Sequence, residues 1–191
     1  GLLVGNWVFA SGTLSLPSVL TAVGLLALSV ANGAAFLAAK TRGRLADEMR
    51  RYGIAGTAAY LGGVVVLLAV VVVTDAGGQA DAVLSVPGVA VVALAVVAGV
   101  AGILLARRGD DRRWFASTLA LSGLLVAFVA VLLYPTVYPP TGHTVSDVVV
   151  SPLALNLTTV LGLPVLLVVL WYFKYLYGVF SGPIDADGYG A

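Results

Sequence analysis

A chain of 191 residues that is 60% hydrophobic and 10% charged, with a mean hydropathy of +1.05, carries more apolar side chain than a water-soluble domain of that size can bury. Ten Lys and Arg against nine Asp and Glu leave a net charge of +1, so the basic excess that marks a nucleic-acid binder is absent. Cysteine is absent too, which excludes a disulfide framework, thiolate nucleophiles and thiolate-held metal or iron–sulfur centres.

Crossing about 30 Å of hydrocarbon takes roughly 20 helical residues. Five stretches without Asp, Glu, Lys, Arg or His are long enough: 17–39, 53–74, 86–106, 114–134 and 152–173. Their apolar residues are continuous rather than alternating, which argues against barrel strands. The expected fold is therefore an all-α integral membrane protein, a five-span transmembrane helical bundle forming a single domain over 1–191. Ahead of the first stretch, "GLLVGNWVF" is apolar but too short to span and lacks the basic flank of a signal peptide; it reads as the tail of a preceding helix or as an interfacial segment. Residue 1 is glycine and the only methionine is Met49, which fits a processed chain or the C-terminal part of a longer one.

In chain order, the first stretch carries Ala27, Ala31, Ala35 and Ala39 at four-residue spacing, a stripe of small residues suited to close helix packing. It also holds Asn32. The connection "KTRGRLADEMRRYG" that follows has five basic and two acidic residues and reads as a topogenic loop, with anionic lipid or a partner as the rival reading. Ala55, Ala59 and Gly63 continue the small-residue pattern in the second stretch, and Ala116 and Ala120 in the fourth. Between the third and fourth, "RRGDDRR" sets two aspartates among four arginines, a solvated, self-neutralised turn rather than a metal site. The text from Tyr134, "YPTVYPPTGHTVSDVVVSPLALNLTT", contains Pro135, Pro139, Pro140, Pro152 and the only histidine, His143. It is expected to form an ordered outer loop: Pro135 ends a helix, Pro139 and Pro140 stiffen the chain, and Pro152 opens the last span, which carries Asn156 and Pro164. Tyr60, Tyr134, Tyr172, Tyr175, Tyr177, Trp114 and Trp171 lie largely near span ends, as interfacial aromatic belts do.

Every Lys and Arg falls in alternate connections: Lys40 to Arg51, Arg107 to Arg113, and Lys174. The two remaining connections, 75–85 and 135–151, hold Asp75, Asp81 and Asp147 and no Lys or Arg. The basic ends should face the cytoplasm of a cell that carries this chain in its plasma membrane, with the first residue outside and the C-terminus inside.

Catalytic and metal-ligating residues are not expected. No nucleophile stands with a base, no paired carboxylates occur at membrane depth, and a single loop histidine cannot serve as both ligand and acid–base partner. Asn32 and Asn156 are different, because an amide with two donors and two acceptor lone pairs cannot satisfy itself on one helix. They must face protein, a quinone or water, a helix-to-helix bond being the simplest partner.

Three segments resemble subunit II of cytochrome bd quinol oxidases: "SVANGAAFLAAKTRGRL", "RRWFASTLALSGLLVAFVAVLLYPTVYPP" and "SPLALNLTTVLGLPVLLVVLWYFKYLYGVFSG", in that order along most of the chain. The resemblance implies that this chain corresponds to the last five spans of that subunit. It also implies that the haems belong to subunit I, the partner of this haem-free chain, in a complex that oxidises quinol and reduces oxygen to water. No family quinone contact is carried onto a residue here, so Asn32 and Asn156 remain the candidates for quinone or polar contact. The rival readings are a transporter or channel segment, in which Pro164, Asn32 and Asn156 would form a midplane site, and a structural membrane scaffold.

Overall fold

Ser15-Leu16-Pro17, Ser85-Val86-Pro87 and Ser151-Pro152 each open a long helix, because a serine hydroxyl satisfies a free amide of the first turn while proline presets the helical φ. In the computed structural model, which describes residues 1–10, 14–138, 141–148 and 151–179, Ser15 Oγ accepts from the Ser18 amide, Ser85 Oγ from Gly88, and Ser151 Oγ from Ala154. A short helix α1 (Leu2–Phe9) packs antiparallel on α2 (Leu16–Lys40), and α3 (Arg44–Thr74) returns. A 3-10 turn (Ala76–Gly78) and α4 (Ala80–Leu84) lead into α5 (Val86–Arg107) and α6 (Asp111–Leu133). A small hairpin, β1 (Thr136–Tyr138) with β2 (His143–Thr144), and a helical turn α7 (Val145–Val148) precede α8 (Pro152–Val179). Five of these, α2, α3, α5, α6 and α8, are long and apolar enough to cross a bilayer. The all-α five-span expectation therefore holds.

Four of the five close into a ring: α2 packs on α3, α3 on α5, α5 on α6, and α6 back on α2. Three layers of side chains fill it. At the acidic end Val8 and Phe9 of α1 meet Val71, Val83 and Leu132; in the middle Leu28, Tyr60 and Leu121 pack together; at the basic end Ala34, Ala35, Ala38 and Ala106 surround Trp114. The buried positions follow alternating steps of three and four along each helix, as in Leu28, Ala31, Ala35, Ala38 and in Gly53, Thr57, Tyr60, which is the spacing of helices crossing at shallow angles. α8 lies outside the ring, its side chains exposed from Pro152 through Tyr175.

The structure corrects several expectations. Ala31 and Ala35 are buried as the first stripe requires, but Ala55 and Ala59 are exposed, as are Ala116 and Ala120. The packing face of α3 is instead Gly53, Gly56, Thr57 and Tyr60, and that of α6 is Trp114, Thr118 and Leu121. Tyr60 and Trp114 thus belong to the core, not to an interfacial belt. The basic connection after α2 is not a long loop: only residues 41–43 turn, with Gly43 at φ 67°, and α3 already begins at Arg44. Residues 139, 140, 149 and 150 of the outer loop, with the proposed stiffening at Pro139 and Pro140, lie outside the described residues.

Close approach explains the glycines of α3. A β-carbon at Gly56 would stand 2.9 Å from the Ala27 carbonyl oxygen and 3.1 Å from the Ala31 nitrogen, backbone atoms that cannot yield. One at Gly53 would overlap the Trp114 indole. Gly56→Leu should therefore destabilise the purified protein by about 1–3 kcal/mol through overpacking. Ala55→Leu, on an exposed face, should stay within about 0.5 kcal/mol of wild type. Thermal unfolding in detergent checks this; equal effects at the two positions would contradict the assigned face.

Candidate functional site

In an apolar ring the polar atoms are few enough to follow one by one. Thr57 and Thr118 are fully buried, and each hydroxyl donates back to its own helix, at 2.9 Å to Gly53 O and 2.9 Å to Phe115 O. These bonds are local and do no chemistry. Asn32 of α2 crosses to α6: its Nδ2 donates to Ser122 Oγ at 2.9 Å, and the Ser122 hydroxyl donates on to the Thr118 carbonyl at 3.3 Å. The helix-to-helix partner expected for Asn32 is therefore present. Its Oδ1 is buried and has no partner among the described residues, and the same is true of Trp114 Nε1. Asn156 is exposed on α8, so the structure does not bring the two asparagines together.

At the basic end the two charged connections meet. Arg50 donates through Nε and Nη2 to both carboxylate oxygens of Asp111, at 2.8 and 2.7 Å, and through Nη1 to Asp47 at 2.6 Å. The Arg50 and Asp111 side chains are 27% and 14% exposed, so this fork pairs a planar guanidinium with a carboxylate in partly excluded solvent. "RRGDDRR" is accordingly no free-standing solvated turn. Asp110 caps α6 by accepting from the Arg113 amide, Gly109 makes the turn at φ 73°, and Asp111 ties α6 to α3. A signal for this pair existed in the sequence. Ala46, Arg50, Gly53, Thr57 and Tyr60 form one stripe, and so do Asp111, Trp114, Thr118 and Leu121. Arg50 and Asp111 are 61 residues apart, and the same offset relates Gly53 to Trp114 and Tyr60 to Leu121.

At the opposite end the hairpin holds itself. Thr136 pairs with Thr144 and Tyr138 with His143, while Asp147 Oδ2 accepts from the Thr144 hydroxyl at 2.7 Å and its amide at 2.9 Å. These bonds favour the carboxylate and lower the Asp147 pKa. A lowered folded pKa means that this contribution is present at neutral pH and lost only as pH falls below the ordinary aspartate range. His143 is exposed in β2. Among the described residues no group of three or more His, Cys, Asp and Glu is placed to hold a metal.

Comparison with known proteins adds one match: the family model for cytochrome bd terminal oxidase subunit II covers residues 1–180. None of the curated proteins compared matches the chain.

The two interhelical polar contacts should differ in strength. A double-mutant cycle on Arg50→Gln and Asp111→Asn should give a coupling of about 1–3 kcal/mol, as for hydrogen bonds to charged groups. A cycle on Asn32→Ala and Ser122→Ala should give about 0.6 kcal/mol, the usual worth of such a bond between membrane helices. Thermal unfolding reads both, and a larger coupling for Asn32–Ser122 would contradict the assignment of Arg50–Asp111 as the main polar tie.

Proposed function

Because this chain belongs to the family of cytochrome bd terminal oxidase subunit II, and so is a component of a bd-type oxidase, we propose that it is the haem-free membrane partner of a haem-bearing subunit in a complex that oxidises quinol and reduces oxygen to water. The observation that supports this most is the donor inventory. Haem needs an axial ligand held rigidly over an apolar pocket. The chain offers His143, exposed in a hairpin at the acidic end of the bundle, and Met49, half-buried at the basic end, and it has no cysteine. These residues do not fit a haem, and electron transfer falls to the partner.

The contribution left to this chain is architectural. The ring of α2, α3, α5 and α6 is closed on itself by close packing and two polar ties, while α8 presents an apolar surface of membrane length to whatever lies beside it. Of the two asparagines, Asn156 is the better candidate for contact with a quinone or a partner side chain, because it is exposed on α8, whereas Asn32 is engaged by Ser122 and keeps only Oδ1 for such a role. A transporter reading would require both asparagines and the proline break at Pro164 to line one site, and their separation favours the oxidase.

The orientation follows from charge. The turns between α2 and α3 and between α5 and α6, together with the helix ends beside them, carry nine of the ten basic residues and lie at one end, which belongs in the cytoplasm; the end with α4 and the hairpin carries Asp75, Asp81 and Asp147 and belongs outside. Single cysteines at Asp81 and Ser146 should react with an impermeant reagent from outside, and those at Arg51 and Arg108 only after the membrane is opened. The reverse pattern would overturn the orientation. In the purified oxidase, His143→Ala and Met49→Leu should each leave the haem content per complex unchanged, and loss of a haem in either variant would overturn the haem-free role.

A further inference from the structure

Between the start of α3 and the end of α5, at the basic end of the bundle, lies an open groove of about 510 Å³. Arg51 of α3 and Arg107 and Arg108 of α5 line it, and all three are exposed. Among the described residues nothing bonds to these three side chains, whereas Lys40, Arg42 and Arg50 of the same end are engaged. The carboxylate in the wall, Asp47, accepts from Arg50 at 2.6 Å, and Arg50 also holds Asp111. Even with both carboxylates counted in full against Arg50, that trio sets a single negative charge against three unpaired guanidiniums, and the groove is positive. The negative end of the α5 dipole is covered, because the Arg108 amide donates to the Leu104 and Leu105 carbonyls and the Gly109 amide to that of Ala106. One helical turn deeper the surface becomes apolar: Ile54, three residues beyond Arg51, lines the groove, and Leu104, three residues before Arg107, is exposed. Free guanidiniums above an apolar helix surface, at the ends of membrane-length helices, suit an anion that carries a hydrocarbon tail. A fully hydrated anion would gain nothing from the apolar part.

We propose that this groove binds the phosphate headgroup of an anionic phospholipid, with Arg51, Arg107 and Arg108 receiving the phosphate and the surface at Ile54 and Leu104 packing against the first acyl carbons. A guanidinium presents parallel N–H donors that match two phosphate oxygens, and arginines from two helices hold the group from both sides. Basic side chains at a membrane surface each add favourable free energy toward anionic lipid, and basic pockets between helices concentrate it. A lipid held here would join α3 to α5 at an end where Arg50 already joins α3 to α6. Lipid retention in detergent is read without reference to where the haems reside or which way the chain is inserted.

The purified oxidase complex, stripped of lipid, would be titrated with phosphatidylglycerol, phosphatidylcholine and inorganic phosphate and read by native mass spectrometry. Expected is retention of phosphatidylglycerol, weaker retention of phosphatidylcholine, and no displacement by millimolar phosphate. Removing one charge from each wall with Arg51→Gln and Arg107→Gln should weaken phosphatidylglycerol retention roughly thirtyfold. The same charge loss outside the groove, Arg112→Gln with Lys174→Gln, should leave it within a factor of two. If the double groove variant fails to assemble, the single variants Arg51→Gln and Arg107→Gln decide: each must weaken retention about fivefold, and unchanged retention in both overturns the proposal. Equal retention of the two lipids, equal weakening in the control variant, or displacement by phosphate, which would mark a site for a soluble anion, would each overturn it as well.

Discussion

The contact between the Trp114 indole and the bare backbone at Gly53 sets the distance across the bundle, and the remaining interactions follow from it. Within lipid there is no hydrophobic gain in bringing helices together, so association rests on close packing and a few hydrogen bonds. Gly56 lets α3 approach the backbone of α2 at Ala27 and Ala31, and the space left at Gly53 is filled by Trp114, fully buried among Ala34, Ala35, Ala38 and Ala106. With that indole in place, α6 is fixed in register with α3. Three residues toward the basic end on each helix, the same register brings Arg50 to Asp111. Seven residues toward the acidic end of the bundle it brings Tyr60 to Leu121. The Asn32–Ser122 bond then closes α6 onto α2.

The spans were legible because charge-free apolar text of that length has no stable alternative to a membrane helix, and the resemblance carried by residues 29–45, 112–140 and 151–182 led to the family that the match over 1–180 shows. The packing faces were not legible from small-residue spacing alone. In a soluble bundle the large apolar side chains mark the inside, whereas here Val65, Val73 and Val97 are exposed and Ser18, Thr57 and Thr118 are fully buried. Small residues occur on every face of these helices, so spacing by four selects Ala55 and Ala59 as readily as Gly56 and Tyr60. Arg50–Asp111 escaped notice for another reason. Each residue sits in a cluster of charges that explains itself locally, and only the three-four stripe running from the charged text into the apolar text places both on the inner face.

α8 is the element that the bundle itself does not account for. Its Ser151 cap, its length and its apolar run make it a sound membrane helix, yet its side chains stand exposed from Pro152 through Tyr175, and among the described residues Trp171 stacks on Tyr175 of its own next turn at 6.4 Å. A chain that is one component of a larger oxidase has reason to keep such a surface. The ring is complete without α8, so the helix is available for contacts beyond the chain. The polar chemistry of the chain is distributed mostly toward its ends: the hairpin tied by Asp147 at one, the arginine fork at the other, and between them the Asn32–Ser122 bond and hydroxyls that bond to their own helices.

The central claim is that this chain shapes and supports the oxidase without taking part in electron transfer. Quinol-driven oxygen uptake per haem, measured on the assembled complex carrying Asn32→Ala, Asn156→Ala and His143→Ala together, tests it most directly. The account predicts fewer assembled complexes but a turnover per haem within a few-fold of wild type. Normal haem content with turnover reduced a hundredfold would contradict it.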